Sequence, residues 1–572
     1  MNQMRLTKLG RVFWAAVFSF CWLGMQAGSA PEKCQDWQWR ISVPFSNGAN
    51  RQVGCQPYLW IPPTCRKIDA VMVMSTAVLE QTVAEHPAIR QVCARHNVAI
   101  MWSRERYSPT KDSAFAAIEN ALRRFTELSG YSELSTVPWI PVGHSATVET
   151  IAHLVRTHPE RMAAVILNKS RPSFGEANTV PALVTNGEYM EWNSYEVDLK
   201  EKNRSDRTMA AIYTANAKAP QLISFFSDPN TGHFDSRKEL LDNMALYLDE
   251  VLALRFDSGG KMRAVAPADG WVVELPLPGF GGFAPVSYAS ATAAQQKAPW
   301  FPTRAAAQAA YDMANVSMAR EAQIAGFCDA SGSYEQGWYR AIMYTLPFVW
   351  NEDRSVIAIR TTPYYRMPQG EYKKAAQNKT GKGPGLIDDP RPYSFFNIGD
   401  RFENSGNPID VVVVSGNLRK LDRDHFEYSP RFNSTGSYLI ARQEGNDRFR
   451  ASVQPGLFTY ADWKTGAANE IAFGEIPDQS LADVKPIPLH ATASSGLKAR
   501  YFVAYGPARI EQDNLLVIEK DSIPPRARLP IEIGVTAFQL GSESGNVKSA
   551  EPVFRAFKLL GTSSKNEKMS AP

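Results

Sequence analysis

Hydrophobic and polar positions along the first 258 residues alternate between two periods. In Trp37-Gln38-Trp39-Arg40-Ile41-Ser42-Val43 they alternate strictly, which predicts a half-buried strand, and Tyr58-Leu59-Trp60-Ile61 forms a second run stopped by Pro62-Pro63. Ala70-Val71-Met72-Val73-Met74 and Val98-Ala99-Ile100-Met101-Trp102 are continuous apolar runs, as expected of central strands covered on both faces. A helical pattern over 84–96 separates them. A longer helix is predicted over 112–129, where Phe115, Ala116, Ile118, Ala121, Leu122 and Phe125 recur on one face and Gly130 ends it. The alternation continues with strand 138–142, helix 147–157, strands 163–167 and 182–185, helix 205–217, strand 221–226 and helix 236–254. Strands alternating with amphipathic helices predict a mainly parallel, doubly wound α/β sheet, preceded by two antiparallel strands.

The texture changes after Asp257-Ser258-Gly259-Gly260. Residues 266–300 are rich in Pro, Gly, Ala and Ser, a helix is predicted over 303–323, and from 338 onward short β runs dominate. Examples are Val411-Val412-Val413-Val414, Leu515-Leu516-Val517-Ile518 and Ile531-Glu532-Ile533-Gly534-Val535, punctuated by turn residues in the manner of a sandwich. The expected organisation is therefore an α/β domain over 31–258, a linker and accessory α+β region over 259–400, a β-sandwich-like region over 401–562 with one immunoglobulin- or fibronectin-like unit near 485–560, and a disordered tail over 563–572. Residues 370–392 are expected to form an exposed loop. At 572 residues the chain is too long for one core, which agrees with such a division.

The N-terminus bears on location. Arg5, Lys8 and Arg11 precede an uncharged apolar stretch from Val12 to Trp22, and Gln26-Ala27-Gly28-Ser29-Ala30 supplies small residues, so a signal peptide cut after Ala30 is expected. The apolar stretch is shorter than a bilayer span, and no later segment is long and apolar enough, so no membrane span is expected after cleavage. Removing those three basic residues takes the formal net charge from +4 to about +1, which gives no ground for a nucleic-acid partner. The expected location is periplasmic or secreted. Cys34, Cys55, Cys65, Cys93 and Cys328 would remain, with one or two disulfides expected, the first of them among Cys34, Cys55 and Cys65, and Cys93 buried in a helix. No CxxC pair or Cys/His spacing points to a metal, and no cofactor is expected.

The chemistry centres on Pro138-Trp139-Ile140-Pro141-Val142-Gly143-His144-Ser145-Ala146-Thr147, a strand running into a helix. A nucleophile elbow of G-x-S-x-G type needs that context, because small residues must flank a serine held in so tight a turn. Gly143 and Ala146 meet the need; Thr147 stands where a second glycine is usual. Serine requires a base, and the base an orienting acid. His86, His96, His153, His158, His425 and His490 lie on helical or connecting segments or in the distal half. His233 follows a buried strand in Phe225-Phe226-Ser227-Asp228-Pro229-Asn230-Thr231-Gly232-His233 and is the candidate base. Glu188, directly after Gly187 at a strand end, is the candidate acid, with Glu191 and Asp228 as alternatives. The oxyanion hole is expected from the N–H of Ala146 and from Thr76 or Ala77 in the loop after the third strand. His144, Trp102 and Trp192 are expected to line the substrate pocket, the tryptophans offering a flat wall to a sugar ring.

On the elbow, the strand order and the succession Ser145, Glu188, His233, residues 31–258 resemble the α/β-hydrolase superfamily, in particular secreted bacterial serine esterases. The resemblance implies acyl transfer to Ser145 and hydrolysis of the acyl-enzyme. It leaves the substrate open: an ester-bearing small molecule or polysaccharide is the first expectation. A secreted serine peptidase and a catalytically idle scaffold that binds glycan or protein are the alternatives. The distal half resembles the β-sandwich modules of some secreted hydrolases in texture alone.

Overall fold

The computed structural model describes residues 36–46, 52–75, 78–108, 110–170, 178–187, 204–277 (without 230, 232 and 235), 279–315, 320, 323, 325–328, 346, 348–362, 403–432, 436–449 and 451–561. The segments expected to form a signal peptide (1–30), an exposed loop (370–392) and a disordered tail (563–572) fall outside them.

Eight strands form the central sheet: β1 (Trp39–Arg40), β2 (Pro57–Trp60), β3 (Ala70–Ser75), β4 (Val98–Ser103), β5 (Trp139–His144), β6 (Val165–Asn168), β7 (Ala182–Gly187) and β8 (Ile223–Asp228). Their spatial order is β1-β2-β4-β3-β5-β6-β7-β8. The pairs β1–β2 and β2–β4 are antiparallel, and every later pair is parallel. The continuous apolar runs are explained by this placement: every residue of β4 to β8 is buried, because helices cover both faces. The helices are α1 (Glu80–Ala84), α2 (Pro87–Arg95), α3 (Ala114–Ser129), α4 (Val148–Thr157), α5 (Arg204–Lys218) and α6 (Lys238–Arg255). Register aligns the carboxyl ends of the strands. Ser75 pairs with Ser103, His144 with Asn168 and Gly187 with Asp228, so the loops that follow β3, β5, β6, β7 and β8 leave the sheet along one rim.

The stretch after residue 259 carries an α+β unit packed on the central sheet. Trp271–Glu274, Phe283–Ser287 and Trp300–Phe301 form a three-stranded sheet, and a helix over Arg304–Asn315 buries Ala306, Ala307, Ala310 and Met313. Ser224 Oγ of β8 donates to Trp300 O at 2.5 Å, which joins this unit to the central sheet.

Beyond residue 325 the described chain is strands in several sheets, almost all antiparallel. One unit has its own apolar core, drawn from Phe327, Ile357, Val411, Phe426, Leu439 and Phe458 among others. Its sheet of Ile409–Ser415, Gly436–Gln443 and Ser452–Thr459 lies against the α/β domain. The last unit, built on Arg500–Tyr505, Ile531–Phe538 and Val553–Leu560, shares one continuous hydrophobic cluster with the α/β domain. Gly130 shows how close that approach is. It ends α3 at φ 83°, and a Cβ there would stand 3.0 Å from Arg528 Cβ. Arg528 N donates to Ser129 O at 2.8 Å, and Gly506 N to Trp37 O at 2.8 Å.

Two expectations are corrected here. Trp102 is fully buried: its ring stacks on Trp37 at 5.6 Å, lies 5.7 Å from Tyr58 and meets the edge of Phe432 at 5.0 Å, so it belongs to an aromatic core and offers no wall to a ligand. Phe432 comes from the β region, held by backbone bonds to both ends of the Asn417 amide. The expected disulfides among the first cysteines do not include Cys55 or Cys65, which are free buried thiols, as is Cys93. Burial pushes the thiols of Cys55, Cys65 and Cys93 up to about 12, which leaves them protonated and poorly nucleophilic at neutral pH. Alkylation with iodoacetamide, followed by peptide mass spectrometry, should therefore leave these three unmodified in the folded protein. In denaturant without reductant, all three should be modified; a Cys55 or Cys65 that requires reductant first would contradict the structure.

Candidate active site

The turn after β5 is built around one strained residue. Ser145 has φ 53°, in the left-handed region that costs an L-residue roughly 1–2 kcal/mol. The chain reverses there, makes a single 3₁₀ turn over Ser145–Thr147 and enters α4. His144 and Thr147 are buried, while Ser145 is partly exposed and Ala146 exposed. The elbow thus presents its serine to the open side of the rim. Gly143 leaves room for the helix: a Cβ there would lie 2.4 Å from Ile151 Cδ1 and 2.8 Å from Thr147 Oγ1, so one of them would have to move.

A buried carboxylate that sequence patterning missed braces this turn. Glu80, 1% exposed, accepts through Oε1 from His144 N at 2.8 Å and from Thr147 Oγ1 at 2.7 Å, and through Oε2 from Val78 N at 3.1 Å. One side chain therefore ties the serine turn to the segment following β3, the loop expected to supply an oxyanion donor. Thr147, which breaks the usual glycine pattern, has a use for its hydroxyl in this network. The available signal was an acidic residue in the first turn of a helix that opens just after a strand-end loop. Thr76 and Ala77 themselves lie outside the described residues.

His233 lies in the loop after β8, 7% exposed. His144 meets it: the two rings are 4.8 Å apart, and His144 Nε2 lies 2.8 Å from His233 O, so the neutral tautomer with its proton on Nε2 donates to that carbonyl. Burial, reinforced by the nearby charges of His233 and Lys169, holds the His144 pKa well below the ordinary 6.5 and keeps it neutral. This corrects the expectation that His144 lines the pocket. With no exposed surface it is a prop that joins the residue before Ser145 to the backbone of His233.

Of the acid candidates, Glu188 and Glu191 lie outside the described residues, as does Trp192. Asp228 is described and fully buried; its two oxygens are taken by Lys169 Nζ at 2.6 Å and Arg237 Nε at 3.0 Å. Burial alone would raise its pKa, and the two adjacent cations override that and hold it below the usual carboxylate range.

The β region reaches the site. Val414, Ile440 and Val453 of its sheet form one apolar cluster with Val78, Leu79 and Phe234, residues from the loops after β3 and β8. Phe234 lies edge-on to His233 at 4.5 Å and stacks on Tyr438 at 6.3 Å. Gly416 N donates to Gln81 Oε1 at 3.1 Å, and Arg442 pairs with Glu239 at 3.6 Å.

A Gly143→Ala substitution should displace Thr147 or Ile151 and disturb the serine turn. The expected cost is about 1–3 kcal/mol of stability, read as a lower urea midpoint, together with a loss of activity larger than the loss of folded protein. An active, equally stable variant would mean that the turn is looser than the geometry shows.

No protein-family model matches the chain, and no curated protein matches it. Among solved structures it is similar to Est1E from Butyrivibrio proteoclasticus (11% identity, 38% of this chain and 98% of that chain, TM-score 0.27). Others are LpqC, a poly(3-hydroxybutyrate) depolymerase from Bordetella parapertussis (13%, 40% and 93%, TM-score 0.26), and a dienelactone hydrolase from Anabaena variabilis (14%, 38% and 97%, TM-score 0.26). By its own strand order, its parallel pairing and its left-handed serine turn at the carboxyl rim, the described part of residues 36–258 has the α/β-hydrolase fold.

Proposed function

We propose that this protein is a serine hydrolase that cleaves carboxylic esters through an acyl intermediate on Ser145. The observation that carries the reading is Ser145 itself, a non-glycine residue held at φ 53° and partly exposed at the strand rim, with the His233 loop secured to its neighbour His144. Strain of this kind persists only where the surroundings over-determine it, and it concentrates at functional sites.

In this reading His233 takes the Ser145 hydroxyl proton as Oγ bonds to the ester carbon. The N–H of Ala146 and one from Thr76 or Ala77 receive the developing oxyanion. Collapse breaks the carbon–oxygen bond to the leaving alcohol, which takes the proton from His233. Water, activated by the same imidazole, then releases the acid and restores Ser145. Glu188 is the proposed partner that orients His233, the role left to it by Asp228, whose oxygens are engaged elsewhere. No metal or organic cofactor enters this scheme.

Export to the periplasm or beyond is proposed from the basic and apolar start of the chain. An ester carried on a polysaccharide is the proposed natural substrate class. It is supported by that start and by the β region packed on the site, and no longer by Trp102.

The test is hydrolysis of short-chain nitrophenyl esters by the protein without residues 1–30. Ser145→Ala and His233→Ala should each lower kcat by roughly 10³-fold or more with the fold intact by circular dichroism. Glu188→Gln should lower it less. Equal turnover by wild type and both alanine variants would place the chemistry elsewhere, and cleavage of peptides in preference to every ester would favour a peptidase.

A further inference from the structure

The loop carrying His233 begins and ends on one buried carboxylate. Asp228 closes β8, and Arg237 is the N-cap residue of α6; the bond from Arg237 Nε to Asp228 Oδ1 at 3.0 Å ties the two stems together. Lys169, the residue after β6, is wholly buried and takes φ 52°. Its ammonium donates to Asp228 Oδ2 at 2.6 Å and to Thr231 Oγ1 at 2.6 Å, and the Thr231 hydroxyl in turn donates to Asp228 O at 2.9 Å. Its own backbone is fixed, since Lys169 N donates to Thr185 Oγ1 at 2.9 Å and that hydroxyl to Asn168 Oδ1 at 2.7 Å. The loop is thus held at both stems, at Thr231 and, through His144, at the His233 carbonyl.

Three ionised groups in so dry a place stabilise a fold no better than apolar residues of the same volume, because desolvation offsets most of their attraction. What they supply is direction: hydrogen bonds fix donor and acceptor to a few tenths of an ångström, where apolar contacts tolerate sliding. We infer that Lys169, Asp228 and Arg237 are positioning residues, a charged clamp that holds the His233 imidazole in reach of Ser145. The inference rests on the serine-hydrolase reading above. Asp228 on this view never serves as the triad acid: it works through the backbone of the loop.

The experiment measures the second-order rate at which an alkyl fluorophosphonate labels the intact protein. In that reaction Ser145 Oγ bonds to phosphorus, fluoride leaves and the hydroxyl proton passes to His233. Arg237→Met removes one tie and leaves the Lys169–Asp228 pair to preserve the fold; Arg237→Lys restores a cation. Labelling by Arg237→Met should slow by about 10- to 100-fold, the scale of a misplacement near 1 Å, with most of the rate recovered in Arg237→Lys. Lys169→Met should slow it further. With nitrophenyl acetate the loss should fall on kcat rather than KM. Wild-type rates in both Met variants would overturn the clamp and leave the serine reading standing. A slowed Arg237→Met that Arg237→Lys does not recover, with the loss matched by a fall in folded fraction, would also overturn it. Absence of wild-type labelling at Ser145 would remove the serine reading and the clamp together.

Discussion

The left-handed backbone of Ser145 is the constraint around which the site is arranged. A serine relaxes from φ 53° unless the chain on both sides is immobile, and here it is. On one side β5 is buried along its whole length between β3 and β6. On the other, α4 packs so closely over Gly143 that a Cβ there would have to displace Ile151 or Thr147. Between them the Glu80 carboxylate receives both the His144 amide and the Thr147 hydroxyl. A buried carboxylate is costly unless hydrogen-bonded, and the three bonds it accepts here satisfy it while locking the turn. The same residue accepts from Val78 N, so one side chain links the elbow to the start of α1.

The histidine side is organised by a different force. Its loop leaves the rim beside β7 and is secured by ionic hydrogen bonds below and by apolar contact above. Phe234, packed on His144 and His233, passes that contact to Tyr438 of the β region. The second half of the chain is thus no tethered appendage. One unit packs on Val78, Leu79 and Phe234 and sets Phe432 edge-on against Tyr58 and Trp102. The other merges its core with that of the α/β domain beside Gly130.

Much of the α/β domain was legible because its strands are continuous apolar runs and its helices are amphipathic, patterns set by burial on two faces and on one. The predicted strand over 138–142 and helix over 147–157 bracket the observed turn within a residue or two. Positions whose meaning depends on distant partners were not legible. Glu80 and Lys169 look like ordinary charged residues until the fold brings Glu80 to Thr147 and Lys169 to Asp228. Trp102 and His144 were misjudged for a related reason. A strand-end position says that a residue is near the rim, but only the packing of Trp37 and Phe432, or of His233, decides whether its ring faces a cleft or the core. In the distal half, short β runs identified strands such as Leu515–Ile518 and Ile531–Phe538, but pairing among many similar strands is set by contacts that no local pattern encodes.

The central claim is covalent chemistry at one left-handed serine, and rapid-quench mass spectrometry tests it most directly. Protein mixed with excess nitrophenyl acetate and quenched in acid within milliseconds should carry one acetyl group, located on the peptide containing Ser145 and lost as substrate is exhausted. An acetyl group confined to another residue, or ester turnover with Ser145 never modified, would contradict the account.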